Sequence, residues 1–198
     1  EARPGKVARV GVVGGGAKGA SLTAALASAG VEVRLMEQDG PHLEAAIGRV
    51  RAQYEAEVAA GRMRAEAAEA AVALVGGAEG EGGLAACDLV VETMPDESGL
   101  KGDLLAKLSE LLGAGPVLAT TARSPELEQL AAPLAHPERF IALRFAGPAH
   151  AAGLVEIGAL PAASEEAVAR GFGLAKALGM AAIWAEPPVG ALVEGAGL

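Results

Sequence analysis

The chain has 198 residues, enough for one domain with a small appendage, and its net charge of −9 without a basic stripe argues against nucleic acid as a main partner. Hydrophobic residues make up 52% of it and aromatics only 3%, so small aliphatic side chains must build the core and let helices and sheet approach closely. No apolar run nears the ~18 residues of a membrane span, and the single Cys87 excludes an internal disulfide or a cysteine-built metal site and fits a reducing cytoplasm.

The elements alternate along the chain. VARVGVV (7–13) reads as a buried strand, and the Ala-rich AKGASLTAALASAG as a helix closed by Gly30. VEVRLME (31–37) is a second strand. From Pro41 a long helix carries Leu43, Ile47, Val50 and Tyr54 at helical spacing and ends at Gly61. RAEAAEAAVALV is helical and fades into a short strand near Leu74, and GGAEGEGG (76–83) reads as a flexible turn. CDLVVETM (87–94) is a buried strand with Cys87 as core, and SGLKGDLLAKLSELL an amphipathic helix. PVLATTA (116–122) is a strand, followed by the helix SPELEQLA, with Ser124 as N-cap and Pro125 at its first position. RFIALRF (139–145) and GLVEIGA (153–159) are strands, SEEAVARGFGLAKALG is a helix capped by Ser164, and MAAIWAE is a last strand. This alternation predicts an α/β fold: a Rossmann-like, doubly wound, mostly parallel sheet with helices on both faces. The predicted layout is a linker over 1–5, a nucleotide-binding domain over 6–186 and a second linker over 187–198. EARPG without an initiator Met, and the tail EPPVGALVEGAGL, are expected to belong to a longer or processed chain.

The strongest local motif is VGVVGGGAKGAS. Gly14, Gly16 and Gly19 form G-x-G-x-x-G directly after a strand and at the opening of a helix. The first glycine permits the tight turn, the second lets backbone approach a pyrophosphate, and the third lets helix and strand pack closely. Glu37 stands about twenty residues on, at the end of the second strand, where a carboxylate accepts from a ribose diol and repels a 2′-phosphate. The predicted cofactor is NAD rather than NADP. Lys18, inside the loop, either helps neutralise phosphate charge or is solvated. No metal site is expected.

LVVETMPDESGLKGDLLAKL, VLATTARSPELEQLA and HPERFIALRFAGPAHAAGLVEI resemble, in order and spacing, segments of the L-3-hydroxyacyl-CoA dehydrogenases. The likeness runs from about Lys6 to Pro188, and RAQYEAEVAAGRM looks more like the multifunctional fatty-acid β-oxidation proteins than the stand-alone dehydrogenases. The resemblance implies oxidation of a 3-hydroxyacyl-CoA to the 3-ketoacyl-CoA with hydride transfer to NAD. It implies cofactor roles for Gly14, Gly16, Gly19 and Glu37, and for Asp96 and Lys101 near the nicotinamide half. Asp96 as a helix cap and Lys101 as a solvated helix lysine are the alternatives. It also implies an acyl-CoA substrate, an upstream hydratase/isomerase domain, and an all-helical C-terminal domain through which such proteins dimerise.

The catalytic positions depart from the family pattern. Its dyad Glu is retained as Glu156, but its His falls at Arg144, its Ser at Arg123 and its Asn at Gly147. A guanidinium cannot accept the alcohol proton. Arg144 is expected to pair with Glu156, filling the former dyad; the alternative is that Arg144 and Arg123 bind an anionic group of NAD or CoA. His150, past the Gly-Pro turn, reads as a loop histidine rather than a replacement base. Three functions follow: a weak or inactive dehydrogenase domain, a silent scaffold or NAD(H) sensor, or another NAD-dependent β-hydroxyacid dehydrogenase.

Overall fold

A computed structural model describes residues 5–95, 100–122 and 126–185. β1 (Arg9–Val13) leads through α1 (Ala17–Ser28), β2 (Glu32–Met36), α2 (Gly40–Ala59) and α3 (Ala65–Val72) to the short β3 (Val75–Gly77). β4 (Leu89–Glu92), α4 (Leu100–Leu112), β5 (Val117–Thr120) and α5 (Glu126–Ala131) follow. β6 (Phe140–Phe145), β7 (Leu154–Gly158), α6 (Glu165–Ala177) and β8 (Ala181–Ala185) complete the order.

The strands form one sheet, β3-β2-β1-β4-β5-β6-β7-β8, parallel throughout except for the antiparallel β6–β7 pair. The chain winds outward from β1 to β3, then crosses back to place β4 on the other side of β1. At such a switch point the two connections leave in opposite directions and open a crevice at the carboxyl ends of the strands.

Period-two alternation explains how both faces are covered. Val10, Val12, Leu89, Val91, Ile141 and Leu143 share one core cluster with Leu22 and Leu26 of α1. Val90, Leu118 and Phe140 belong to the opposite cluster, with Leu105 and Leu108 of α4 and Leu127 of α5. The low aromatic content has its counterpart in a third cluster, where Ala20, Ala24 and Ala27 of α1 meet Val50 and Tyr54 of α2 and Ala68 and Ala71 of α3. Small side chains bring these helices close, and the Tyr54 hydroxyl donates to the Ala24 carbonyl at 2.7 Å. Cys87 is buried, and burial pushes its thiol up to about 11.

The caps show why the helices begin where they do. Ser164 accepts from the Ala167 N–H at 3.2 Å, as its position predicts, and Asp39 accepts from the His42 N–H at 2.9 Å just before Pro41. The segment 76–83 is more ordered than its glycines imply: Gly76 and Gly77 belong to β3, and Glu81–Leu84 form a 3-10 turn. A Cβ on Gly76 would meet Arg34 Nη1 at 2.6 Å, and one on Gly77 would meet Leu43 Cδ2 at 2.5 Å, so glycine here admits neighbouring side chains.

Candidate active site

The crevice begins at the loop between β1 and α1. Gly14 has φ +92°, a left-handed backbone that favours glycine, and its N–H donates to the Met36 carbonyl at 3.0 Å. A Cβ on Gly19 would lie 1.8 Å from the Gly14 carbonyl oxygen, which is backbone and cannot move aside. Gly16 differs, because a Cβ there would meet nothing within 4 Å. It is the N-cap of α1, and no side chain caps that helix. An open glycine and an uncapped helix N-terminus provide N–H donors and a favourable dipole for a pyrophosphate. Thr93 secures the loop by donating to the carbonyls of Val13 and Gly14 at 3.0 and 2.9 Å.

Glu37 follows β2 directly, half-buried beside this loop. Its Oε1 accepts from the Gly15 N–H at 2.5 Å and its Oε2 from the Gln38 N–H at 3.3 Å. The acidic residue therefore stands one strand away from the glycines, as the spacing predicts. Glycines that open the turn, an uncapped helix end and an adjacent carboxylate together fit an NAD molecule. Gly15, unassigned by the motif reading, also matters: a Cβ there would lie 2.1 Å from Ala46 Cβ on α2.

At the end of β4 lies a buried polar group. Glu92 is 0% exposed and Lys101, in the first turn of α4, only 2%; Lys101 Nζ stands 3.4 Å from Glu92 Oε2. The Thr120 hydroxyl donates to Glu92 Oε2 at 2.7 Å, and the Met94 N–H donates to Oε1. Burial pushes the Glu92 carboxyl up, against the opposing effects of Thr120, Lys101 and Met94. Lys101 is thus no solvated helix lysine. In the sequence Glu92 was visible only as a residue within the predicted strand 87–94. Asp96, Arg123 and Ser124 lie outside the described residues.

Arg144 lies near the end of β6, directly opposite Glu156 in the antiparallel register, and Glu156 is 0% exposed. Arg144 Nη1 donates to the Thr121 carbonyl at 2.8 Å. Lys18 Nζ reaches the same residue from the first turn of α1, donating to Thr121 Oγ1 at 3.3 Å. His150 is exposed, but its loop folds back onto α1. Its N–H donates to Ser21 Oγ at 3.2 Å, and its Nδ1 lies 2.8 Å from that oxygen. Lys18, Ser21, Arg49, Thr121, Arg144 and His150 all line one cleft of about 630 Å³. Its size suits a small-molecule site.

A doubly wound sheet with a phosphate-ready glycine turn at its switch point and a carboxylate after the second strand defines a dinucleotide-binding domain of the Rossmann class. Residues 9–187 match the family described as 3-hydroxyacyl-CoA dehydrogenase, NAD binding domain, and the chain belongs to that family. It is 30% identical over 154 residues to the Brassica napus glyoxysomal fatty acid beta-oxidation multifunctional protein MFP-a, covering 78% of this chain and 21% of that protein. It is 32% identical over 151 residues to the Escherichia coli 3-hydroxyadipyl-CoA dehydrogenase, covering 76% of this chain and 32% of that one. The chain therefore spans a fifth to a third of these relatives. Among solved structures, M. tuberculosis FadB2 superposes with a TM-score of 0.88 at 26% identity, covering 94% of this chain and 67% of that one. The Escherichia coli 3-hydroxybutyryl-CoA dehydrogenase gives 0.84 at 29% identity, covering 91% and 38%. Among the described residues, no helix is long and apolar enough to cross a membrane.

Proposed function

We propose that this NAD-binding domain is part of a longer β-oxidation protein, addresses the 3-hydroxyacyl-CoA/3-ketoacyl-CoA pair, and has little or no dehydrogenase turnover of its own. Bound NAD supplies the hydride acceptor. Gly14, Gly16 and Gly19 admit its pyrophosphate, Glu37 selects its ribose diol, and the buried Lys101–Glu92 pair shapes the nicotinamide end. Oxidising an alcohol also requires a group that takes the hydroxyl proton as the hydride leaves.

The observation that carries this reading is Arg144 opposite Glu156. Neither β6 nor β7 contains a histidine. A guanidinium donates hydrogen bonds but cannot accept the alcohol proton, so Arg144 cannot act as the base. Glu156 then acts as the charge partner of a guanidinium rather than the orienter of an imidazole. Titration of NADH followed by an acetoacetyl-CoA reduction assay, with wild type and Arg144→His, tests the reading. NADH binding with negligible wild-type turnover supports it, and the same outcome favours a scaffold or NAD(H)-sensing role within the larger protein. Robust wild-type turnover overturns it.

A further inference from the structure

We propose that Arg49, on α2, is a clamp for the pyrophosphate of NAD, a side-chain contact added to the backbone of the glycine loop. This rests on the reading above, in which Gly14, Gly16 and Gly19 admit that pyrophosphate.

Packing brings α2 onto the loop. Ala46, Val50 and Tyr54 form the buried stripe of this helix. Ala46 is 0% exposed and meets the turn directly: a Cβ on Gly15 would lie 2.1 Å from Ala46 Cβ, so glycine lets the helix press against the loop. Arg49 stands three residues further on, close to one helical turn from Ala46, and overlooks the same loop. Its Nη1 donates to the Gly15 carbonyl at 3.1 Å. The Gly15 N–H donates in turn to Glu37 Oε1 at 2.5 Å. One glycine is thereby held between the carboxylate read as the ribose contact and a guanidinium. The next residue, Gly16, is the N-cap of α1 without a side-chain cap.

The chemistry at this point suits a pyrophosphate. Arg49 is exposed and lines the cleft together with Ala17, the first residue of α1. Its hydrogen-bond partner is a carbonyl rather than a carboxylate, so the bond fixes the guanidinium beside the loop without neutralising it. The fork has five N–H donors, of which the Gly15 bond uses one, and its spacing matches the oxygens of a phosphate. The pyrophosphate of NAD carries two negative charges. Backbone N–H groups and a helix dipole of about half a unit charge leave much of that uncompensated. A full positive charge held at the loop supplies what the backbone does not.

The test is fluorescence titration of NADH into the 198-residue chain, at low ionic strength and at about 0.5 M salt, for wild type, Arg49→Gln and Arg49→Lys. Arg49→Gln is expected to lose about tenfold in NADH affinity at low ionic strength. The loss should shrink to about threefold or less in high salt, because screening weakens the wild-type contact. Arg49→Lys should fall between, since it keeps the charge but not the fork. Without ligand, each variant should melt within about 2 °C of wild type, because the side chain is exposed. NADH affinity unchanged in Arg49→Gln overturns the proposal. So does an equal loss at both salt concentrations, which would make Arg49 a prop for the Gly15 carbonyl. Free CoA, which also carries a pyrophosphate, is titrated in parallel; a loss confined to CoA overturns the assignment to NAD. Absence of NADH binding by wild type overturns the glycine-loop reading together with the clamp, whereas wild-type binding with an insensitive Arg49→Gln overturns the clamp alone.

Discussion

Arg144 and Glu156 are direct partners across the only antiparallel strand pair among the described residues, one cationic and half-buried, the other a fully buried carboxylate. Opposed residues in such a pair bring their Cβ atoms to roughly 5 Å, close enough for one charge to set the environment of the other. Glu156→Gln should therefore destabilise the fold by about 2–4 kcal/mol in denaturant unfolding, because a buried charge loses its counter-charge. In a double-mutant cycle with Arg144→Gln, the coupling should exceed about 1 kcal/mol. Strictly additive effects would mean that the two side chains do not interact.

The glycine loop separates packing from binding. Gly19→Ala drives a Cβ to 1.8 Å from a backbone oxygen and should cost about 2–4 kcal/mol in thermal or denaturant unfolding. Gly16→Ala meets nothing within 4 Å, so its stability should change by less than about 1 kcal/mol. Its NADH affinity should nonetheless fall about tenfold or more, because the methyl enters the space left for the pyrophosphate. Equal effects of the two substitutions on stability would contradict this division of roles.

On the proposed reading, Glu37 accepts from a ribose diol and repels a 2′-phosphate. Wild type should bind NADH at least about tenfold more tightly than NADPH by fluorescence titration, and Glu37→Ser should narrow the gap mainly by improving NADPH binding. Unchanged discrimination in the variant would remove Glu37 from the cofactor site.

The buried Lys101–Glu92 pair predicts a pH-dependent penalty. The Glu92 carboxyl is raised in the folded state, so the fold holds its proton more tightly than the unfolded chain does. Stability from this group is therefore greatest below the unfolded carboxylate value and is lost as pH rises from there through the folded value. Lys101→Met removes the counter-charge and pushes Glu92 further up. The variant should be destabilised by about 3–5 kcal/mol at neutral pH and by measurably less as pH falls towards the unfolded carboxylate value and Glu92 takes up its proton. A penalty independent of pH would mean that Lys101 contributes packing alone.

The strands and helices were legible because their signals are local. Alternation marked the strands, the Leu43–Ile47–Val50–Tyr54 spacing marked α2, and Ser164 marked the start of α6. The glycine turn and Glu37 were legible for the same reason, since one βαβ unit holds them at fixed separation. What stayed hidden depends on register between distant strands. Lys18 meets Thr121 across 103 residues of sequence, and Ser21 meets His150 across 129. Nothing in the neighbourhood of either residue announces its partner. The loop reading of His150 agrees with its exposure, yet its attachment to α1 follows only from how the turn after β6 folds back. The pairing of Glu92 with Lys101 was hidden likewise, because it needs the start of α4 to lie over the end of β4.

The most direct measurement is the rate of NADH oxidation by the wild-type chain with saturating acetoacetyl-CoA, under conditions where NADH binding has been shown. On the proposed reading that Arg144 stands in the place of the base, the rate should be indistinguishable from the uncatalysed background and at least about a hundredfold below that of a domain with a positioned histidine. Sustained turnover well above background by the wild-type chain would contradict the account.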